Sequence, residues 1–584
     1  MSAGAARLDD RRFNELRQLS RTIADQAGPE RPIPILLQHQ DDPRVLGLLL
    51  EYYGKAERQL EFLEIAAEQA ARQPLDLAVQ GVYLKALHAA GMADSVMPVA
   101  SRIIGSAPDT LSEVWRVVGS QLAELGMHAA ALEVFNRGRA AAAGGSAFAR
   151  EIALELADLG LLNEAVEELL AMVRGNPAES THPRQVAYRI TSRGRQAEDM
   201  LLERLDDALK SAGGEVEKSL RSLLMELCLS AGLEKEAYGY FSSLLRKLDD
   251  RAARRIAQLF IGRAARLSLF DSALSGYALA DSLKLVNHQT ALLGQAEILL
   301  RLGRYQQAEH HFIELIGFES TPIAAMAWRK LGDIYLNRMD RPGEALACYR
   351  KLEELGGLEK EQLLDAKLRI AESFIRLERL DDAGALCREL LDSSEYDPLE
   401  SSGAMLLLGD VLFFGGQPDS AAEAYLTFAK LNLGDQLAND AMGKIYLIRH
   451  DRSPEGGPSR KVGEALYAAR NGNVQLARDL FAGLLREQSD SLYRAQVYYQ
   501  MGRMYERESE FSLALGTYGQ LIDELPGHQL APLAELRMGI ILLEEVADTT
   551  RARGHLERVV VEYPLGVATP QARRLLRTLD DEKL

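Results

Sequence analysis

Apolar residues return at three- and four-residue intervals along most of this 584-residue chain, broken by short turns rich in Gly and Pro. That spacing predicts helices that each bury one face. No run alternates Val, Ile and Thr with polar residues as a half-buried strand would, so the expected fold class is all-α. A clear example stands near the end. Thr569-Pro570 opens a helix in which Ala572, Leu575, Leu576 and Leu579 form one apolar stripe, while Arg573, Arg574 and Arg577 face water. The Thr569 hydroxyl is expected to cap free amides there.

The helices are not independent of one another. Trp115, Val118, Gly119, Leu122, Gly126, Ala131 and Phe135 recur as Trp328, Leu331, Gly332, Tyr335, Ala345 and Tyr349. The skeleton returns as Tyr498, Met501, Gly502, Tyr505, Ala514, Tyr518, Leu521 and Pro526. Weaker copies fill most of the chain, for instance Leu292, Ala296, Leu299, Gly303, Tyr305, Ala308 and Phe312. The period is about 34 to 39 residues, and about a dozen units fit. Gly within a helix costs ~1 kcal/mol against Ala, so its return at Gly119, Gly332, Gly409, Gly502 and Gly539 implies close packing against a large residue.

These residues and spacings resemble the tetratricopeptide repeat, whose pattern runs W-x2-L-G-x2-Y, then a small Ala, an aromatic and a closing Pro. The resemblance implies an α-solenoid, a right-handed superhelix of helix-turn-helix units that bury a face only by stacking. The expected organisation is N-terminal helices or a cap over 1–76, an array over 77–450 with a weak repeat at 178–217, a Pro/Gly loop or hinge over 451–461, further units over 462–567 and a capping helix over 568–584. A helix at about 436–450 has no clear partner. The closing units, with Pro526 followed by Ala531-Pro532-Leu533-Ala534, look like those of bacterial envelope-associated proteins of this type.

Charge and cysteine content narrow the function. A net charge of −17 argues against broad affinity for phosphate backbones, so nucleic acid is not the expected partner. An RNA-binding helical-repeat protein is the alternative reading. Cys228, Cys348 and Cys387 lie far apart with no C-x-x-C spacing. Cys228 and Cys387 occupy packing positions, and Cys348 sits beside Tyr349 with no local partner. No apolar stretch is long enough for a membrane helix, and the first residues hold no apolar leader core. The sequence as written reads as soluble and cytoplasmic; removal of a leader would move it to the periplasm. The final DEKL has the wrong order for a retention signal.

No phosphate-cradling loop, zinc-protease motif or nucleophile elbow is present, and the repeats leave no segment of catalytic-domain size. The expectation is a non-enzymatic scaffold without cofactor or metal; an enzyme would have to build its site on the solenoid surface. Neighbouring His310 and His311 diverge by ~100° on a helix and are poorly placed to share an ion. Glu167 and Glu168 read as exposed helix surface.

In the superhelix that the resemblance implies, the first helix of each unit lines an inner groove, and exposed positions between packing residues read a partner. These are Arg116, Arg150, Arg329, Asp333, Asn337, Arg369, Glu372, Arg376, Tyr499, Arg503 and Arg507. Arg binds carboxylates bidentately and Tyr adds stackable area, which suits an acidic or C-terminal peptide. Asp333 and Asp365 stand where chaperone-binding relatives carry a Lys and Asn clamp, so chaperone tails are not the expected ligand. The partner's identity and homo-oligomerisation stay open.

Overall fold

A computed structural model describes residues 7–106, 112–142, 145–318, 321–433, 436–451, 457–487 and 490–581. Part of the expected 451–461 break, residues 452–456, and the DEKL tail beyond residue 581 lie outside the described residues. Everything with regular structure among the described residues is helical. The helices pair as antiparallel hairpins, such as Ser112–Glu124 with His128–Ala141 and Ser491–Arg507 with Phe511–Glu524, each packed on its neighbours in sequence. The fold is an all-α helical-repeat solenoid.

The turn inside each hairpin puts one residue in the left-handed region. Glycine takes it without steric cost at Gly126 (φ +74), Gly303 (φ +69) and Gly472 (φ +77), whereas Ser268, Glu378 and Ser509 adopt it with a side chain.

The mid-helix glycines have the packing reason expected of them. A methyl group at Gly332 would stand 2.6 Å from the Tyr349 ring, at Gly409 2.6 Å from Tyr425, and at Gly502 2.5 Å from Tyr518. Gly119 and Phe135 repeat the arrangement, and Gly539 receives Leu556. Ala131, Ala345 and Ala514 are fully buried beside these rings, with Tyr335 and Tyr505. Trp115 and Trp328 are only half-buried; the enclosed residues are their neighbours Val114 and Ala327. Pro526 is exposed, and its carbonyl accepts a hydrogen bond from the Tyr563 hydroxyl at 3.0 Å.

All three cysteines are buried free thiols, and burial pushes each up to about 12. Cys348 is therefore a core residue like the other two. Two local readings change. Thr569 donates its hydroxyl to the Tyr563 carbonyl at 2.5 Å, tying the last helix to the preceding one where a cap on its own amides was expected. Glu168 is no solvated surface group, because Arg139 from the preceding hairpin grips both its oxygens at 2.7 and 2.9 Å.

Two compact units divide the chain, Met1–Ala291 and Leu292–Leu584. The first has a core running from Leu84 to Leu227 and a smaller cluster from Ile33 to Ala86. The second is dominated by a core from Phe413 to Ile541, closed at its end by Leu556, Val559, Ala572 and Leu579.

Candidate functional site

Charged residues on the first helices mostly meet the first helix of the next hairpin. In the N-terminal unit Arg116 donates to Glu151 at 3.1 Å and Arg150 to Gln185 at 2.8 Å. Arg189 and Arg193 both grip Asp158, and Arg184 and Arg263 approach Glu226 at 2.6 and 3.3 Å. In the C-terminal unit Arg329 donates to Asp365 at 2.9 Å, and Arg369 lies between Asp333 and Asp365 at 3.9 and 3.7 Å. The partners are about one repeat apart in sequence, so each pair is a rung joining successive units. The groove arginines expected to read a partner are therefore largely engaged within the fold. Asn337 is exposed.

Two further expectations need correction. Tyr499 is 2% exposed, its ring 5.9 Å from that of Tyr518, so it belongs to the core of its hairpin and presents no stacking face. Arg376 donates to Asp340 at 2.7 Å and to the carbonyls of Leu336 and Arg470, which leaves its guanidinium inside the fold. Both sit where the helices close on one another, and the spacing of packing residues alone does not reveal that.

In the C-terminal unit the first helices converge on a recess of about 230 Å³. It is lined from Ser402–Phe414, Gln436–His450, Pro458–Arg470 and Ser491–Arg507. Helix Gln436–His450 is the one without a hairpin partner in the sequence pattern. It packs on Pro418–Leu431 and places Asp440 and Lys444 in the recess wall.

Asp410 is the electrostatic centre. Lys444 Nζ lies 2.5 Å from its Oδ1, Arg470 2.6 Å from its Oδ2, and the Tyr425 hydroxyl donates to it at 2.6 Å. Burial opposes its ionisation, but Lys444 and Arg470 overcome this and hold the carboxyl at about 2. Burial likewise works against the charge on Arg470, and Glu372 and Asp410 more than offset it, raising its pKa. Asp440 follows the other course: burial raises its pKa despite Arg503 at 3.2 Å.

The packing tyrosines also shape this surface. Each ring crosses a glycine and delivers its hydroxyl to an acid of the first helix: Tyr349 to Asp333 at 2.8 Å, Tyr425 to Asp410, and Tyr518 to Glu506 at 2.6 Å. The acids Asp333 and Asp410 directly follow Gly332 and Gly409. That Gly-Asp coincidence was visible in the sequence and is the signal that could have found Asp410. Nothing comparable pointed to Lys444 or Asp440.

Arg507 differs from the other cations. It lines the recess and is exposed, and among the described residues no carboxylate lies within ion-pair distance of it. Desolvation and the positive charges of Arg470, Arg503 and Arg376, only partly offset by Glu372, pull its pKa below the ordinary arginine value.

The N-terminal unit holds a different cluster. Ligand atoms of His128, Glu155 and Asp158 lie within 4.8 Å of one another, His128 Nδ1 being 2.8 Å from Glu155 Oε2. Arg189 and Arg193 already occupy Asp158, so a cation would have to displace them. His310 and His311 stand edge to face, 6.1 Å between ring centres. Among the described residues no helix is long and apolar enough to cross a membrane.

The family model described as tetratricopeptide repeat matches residues 293–359, which spans the hairpins His288–Arg301/Tyr305–Ile316 and Thr321–Asn337/Pro342–Glu354. No curated protein matches the chain in sequence. Among solved structures, the one described as Naa15/Naa10 bound to HypK-THB is 13% identical, with 98% of this chain and 97% of that chain covered and a TM-score of 0.26. The P58(IPK) TPR domain is 16% identical, with 64% of this chain and 98% of that chain covered and a TM-score of 0.21. Scores this low carry no argument.

Proposed function

We propose that this chain, a tetratricopeptide-repeat protein, is a non-enzymatic scaffold that holds a segment of a protein partner in the recess of its C-terminal unit. The observation that carries the reading is the recess itself, where the first helices of three repeats and the unpaired helix Gln436–His450 bring apolar wall and charged side chains together. Apart from Arg507, its charged groups are fixed by ion pairs and by a tyrosine hydroxyl, so the surface is largely pre-organised before a partner arrives, which lowers the ordering cost of binding. Asp410 is not poised for proton transfer, being locked in an ion-paired cluster. The closing units, with Pro526 and Ala531 to Ala534, support a setting in bacterial envelope assembly.

A photo-crosslinking phenylalanine analogue tests this. Leu437 lines the recess and is 47% exposed, so an aromatic is accommodated there; Glu557 is an exposed control on the second helix Thr549–Glu562. In cells that naturally make the chain, a discrete polypeptide should be captured from position 437 and not from position 557. Equal capture from both positions, or none from 437, would remove the reading.

A further inference from the structure

We propose that Arg507 is an anion-docking site that grips a carboxylate of the partner, so the segment held in the recess is acidic with an apolar neighbour. The proposal rests on the scaffold reading above and gives its partner a chemistry.

The recess is lined by four basic side chains, Lys444, Arg470, Arg503 and Arg507, against two acidic ones, Asp410 and Asp440. This excess stands in a chain of net charge −17. Arg470 is engaged by Glu372 and Asp410, Lys444 by Asp410, and Arg503 by Asp440. Once Glu372 is included, one positive charge is left over, and it is Arg507.

A guanidinium crowded by Arg470, Arg503 and Arg376, with Glu372 already gripped by Arg470, is unfavourable until an anion joins it. Its planar fork offers two parallel donors, the geometry that a carboxylate accepts. A single surplus charge matches one carboxylate. A phosphate dianion would bring a second negative charge close to Asp440 and Glu372. The recess that Arg507 lines also has an apolar wall, with Leu407, Phe414 and Met504 in its lining, and its volume suits one or two side chains. An acidic residue next to an aliphatic or aromatic one fills both halves.

The test uses the full chain and a fluorescein-labelled, C-terminally amidated hexapeptide of alternating Glu and Leu, followed by anisotropy. The expected results are binding to the unaltered chain, at least about tenfold weaker binding to Arg507→Glu, and an intermediate loss with Arg507→Lys, which keeps the charge but not the fork. A Gln/Leu hexapeptide should bind no better than Arg507→Glu binds the acidic one. Should Arg507→Glu fail to fold, phenylglyoxal labelling of the unaltered chain replaces it, and the acidic peptide should protect Arg507 from modification.

No binding to the unaltered chain, equal binding by Arg507→Glu, equal binding of the two peptides, or unprotected Arg507 would each overturn the proposal. Displacement of the peptide by inorganic phosphate at far lower concentration than by acetate would overturn the choice of a carboxylate. The two readings also fail differently. Crosslinks from position 437 that persist in Arg507→Glu leave the scaffold standing and remove the anion site. Peptide binding that depends on Arg507 without any crosslink from 437 does the reverse.

Discussion

The N-terminal and C-terminal units are built from the same hairpin, but a central buried acid in each, Glu226 and Asp410, settles in opposite ways. In the first, Glu226 lies between Arg184 and Arg263, and burial still outweighs them and raises its pKa. Glu155 behaves alike beside His128. In the second, Asp410 is over-compensated by Lys444 and Arg470 and held at about 2, and one guanidinium remains unpaired. The odd helix Gln436–His450 makes the difference, since it adds Lys444 against Asp410 and Asp440 against Arg503 without a second helix of its own. A repeat unit thus fixes the packing, and an interruption of the repeat creates a surface unlike the rest. Function in such arrays is best sought where the period breaks.

The largest effect should follow from removing that centre. Asp410→Ala strands Lys444, Arg470 and the Tyr425 hydroxyl in buried surroundings, and loss of one partner of a buried ionic cluster costs about 3–5 kcal/mol. Hydrogen exchange should rise across Ser402–Phe414, Gln436–His450 and Pro458–Arg470, with His128–Ala141 in the other unit unchanged. Unchanged exchange in all three helices would mean that the cluster holds nothing together.

Gly502→Leu comes next. Its side chain would occupy the space of the Tyr518 ring, and overpacking of this kind costs ~3 kcal/mol. Gly119→Leu should do the same to the Phe135 hairpin, since that glycine serves the same purpose in the N-terminal unit. If only one of the pair unfolds its hairpin on thermal melting, the two units do not share their packing rule.

The pH dependence separates Asp410 from Glu226 by sign. Asp410 has a folded pKa of about 2 against an ordinary 3.8, so its ion pairs stabilise the C-terminal unit above pH 3.8, by ~2 kcal/mol, and are lost between there and about 2. Glu226 is raised above its ordinary 4.5, so its contribution is fully present below 4.5 and is lost as the pH climbs through its folded value. Exchange corrected for its intrinsic pH dependence should therefore rise in Ser402–Phe414 on acidification below 3.8, while the stretch of Gly214–Ser230 around Glu226 first becomes better protected as the pH falls toward 4.5. Parallel behaviour would erase the distinction.

Much of this was readable from residue types alone. Gly332, Gly409 and Gly502 in mid-helix announced a large neighbour, and Tyr349 and Tyr518, 17 and 16 residues on, named it. The helix at 436–450 also stood out as unpaired. The charges were harder to read. Arg116, Arg329 and Arg369 have the spacing of a groove surface, and spacing says which face a residue occupies. Whether the next helix presents Glu151 or Asp365 opposite depends on the rotation between hairpins, which the period does not encode. Tyr499 failed for a related reason, because a position exposed on an isolated helix is covered once Tyr518 packs beside it.

The smallest effect concerns Arg507 itself. A cation kept for a partner is a burden on the free protein, since its desolvation and the repulsion of Arg470, Arg503 and Arg376 outweigh the attraction of Glu372, and no carboxylate pairs with it directly. Arg507→Gln should therefore leave the melting of the C-terminal unit unchanged or raise it slightly, by less than about 1 kcal/mol. Arg116→Gln is the matching change in the N-terminal unit, where the half-exposed pair with Glu151 is lost, and it should lower stability by about as little. Opposite signs at equal size are the diagnostic, because truncating a paired surface cation and relieving an unpaired one are distinguishable only by direction. A destabilised Arg507→Gln would mean that the guanidinium is already satisfied within the fold, and the contrast between the two units would then reduce to Asp410 alone.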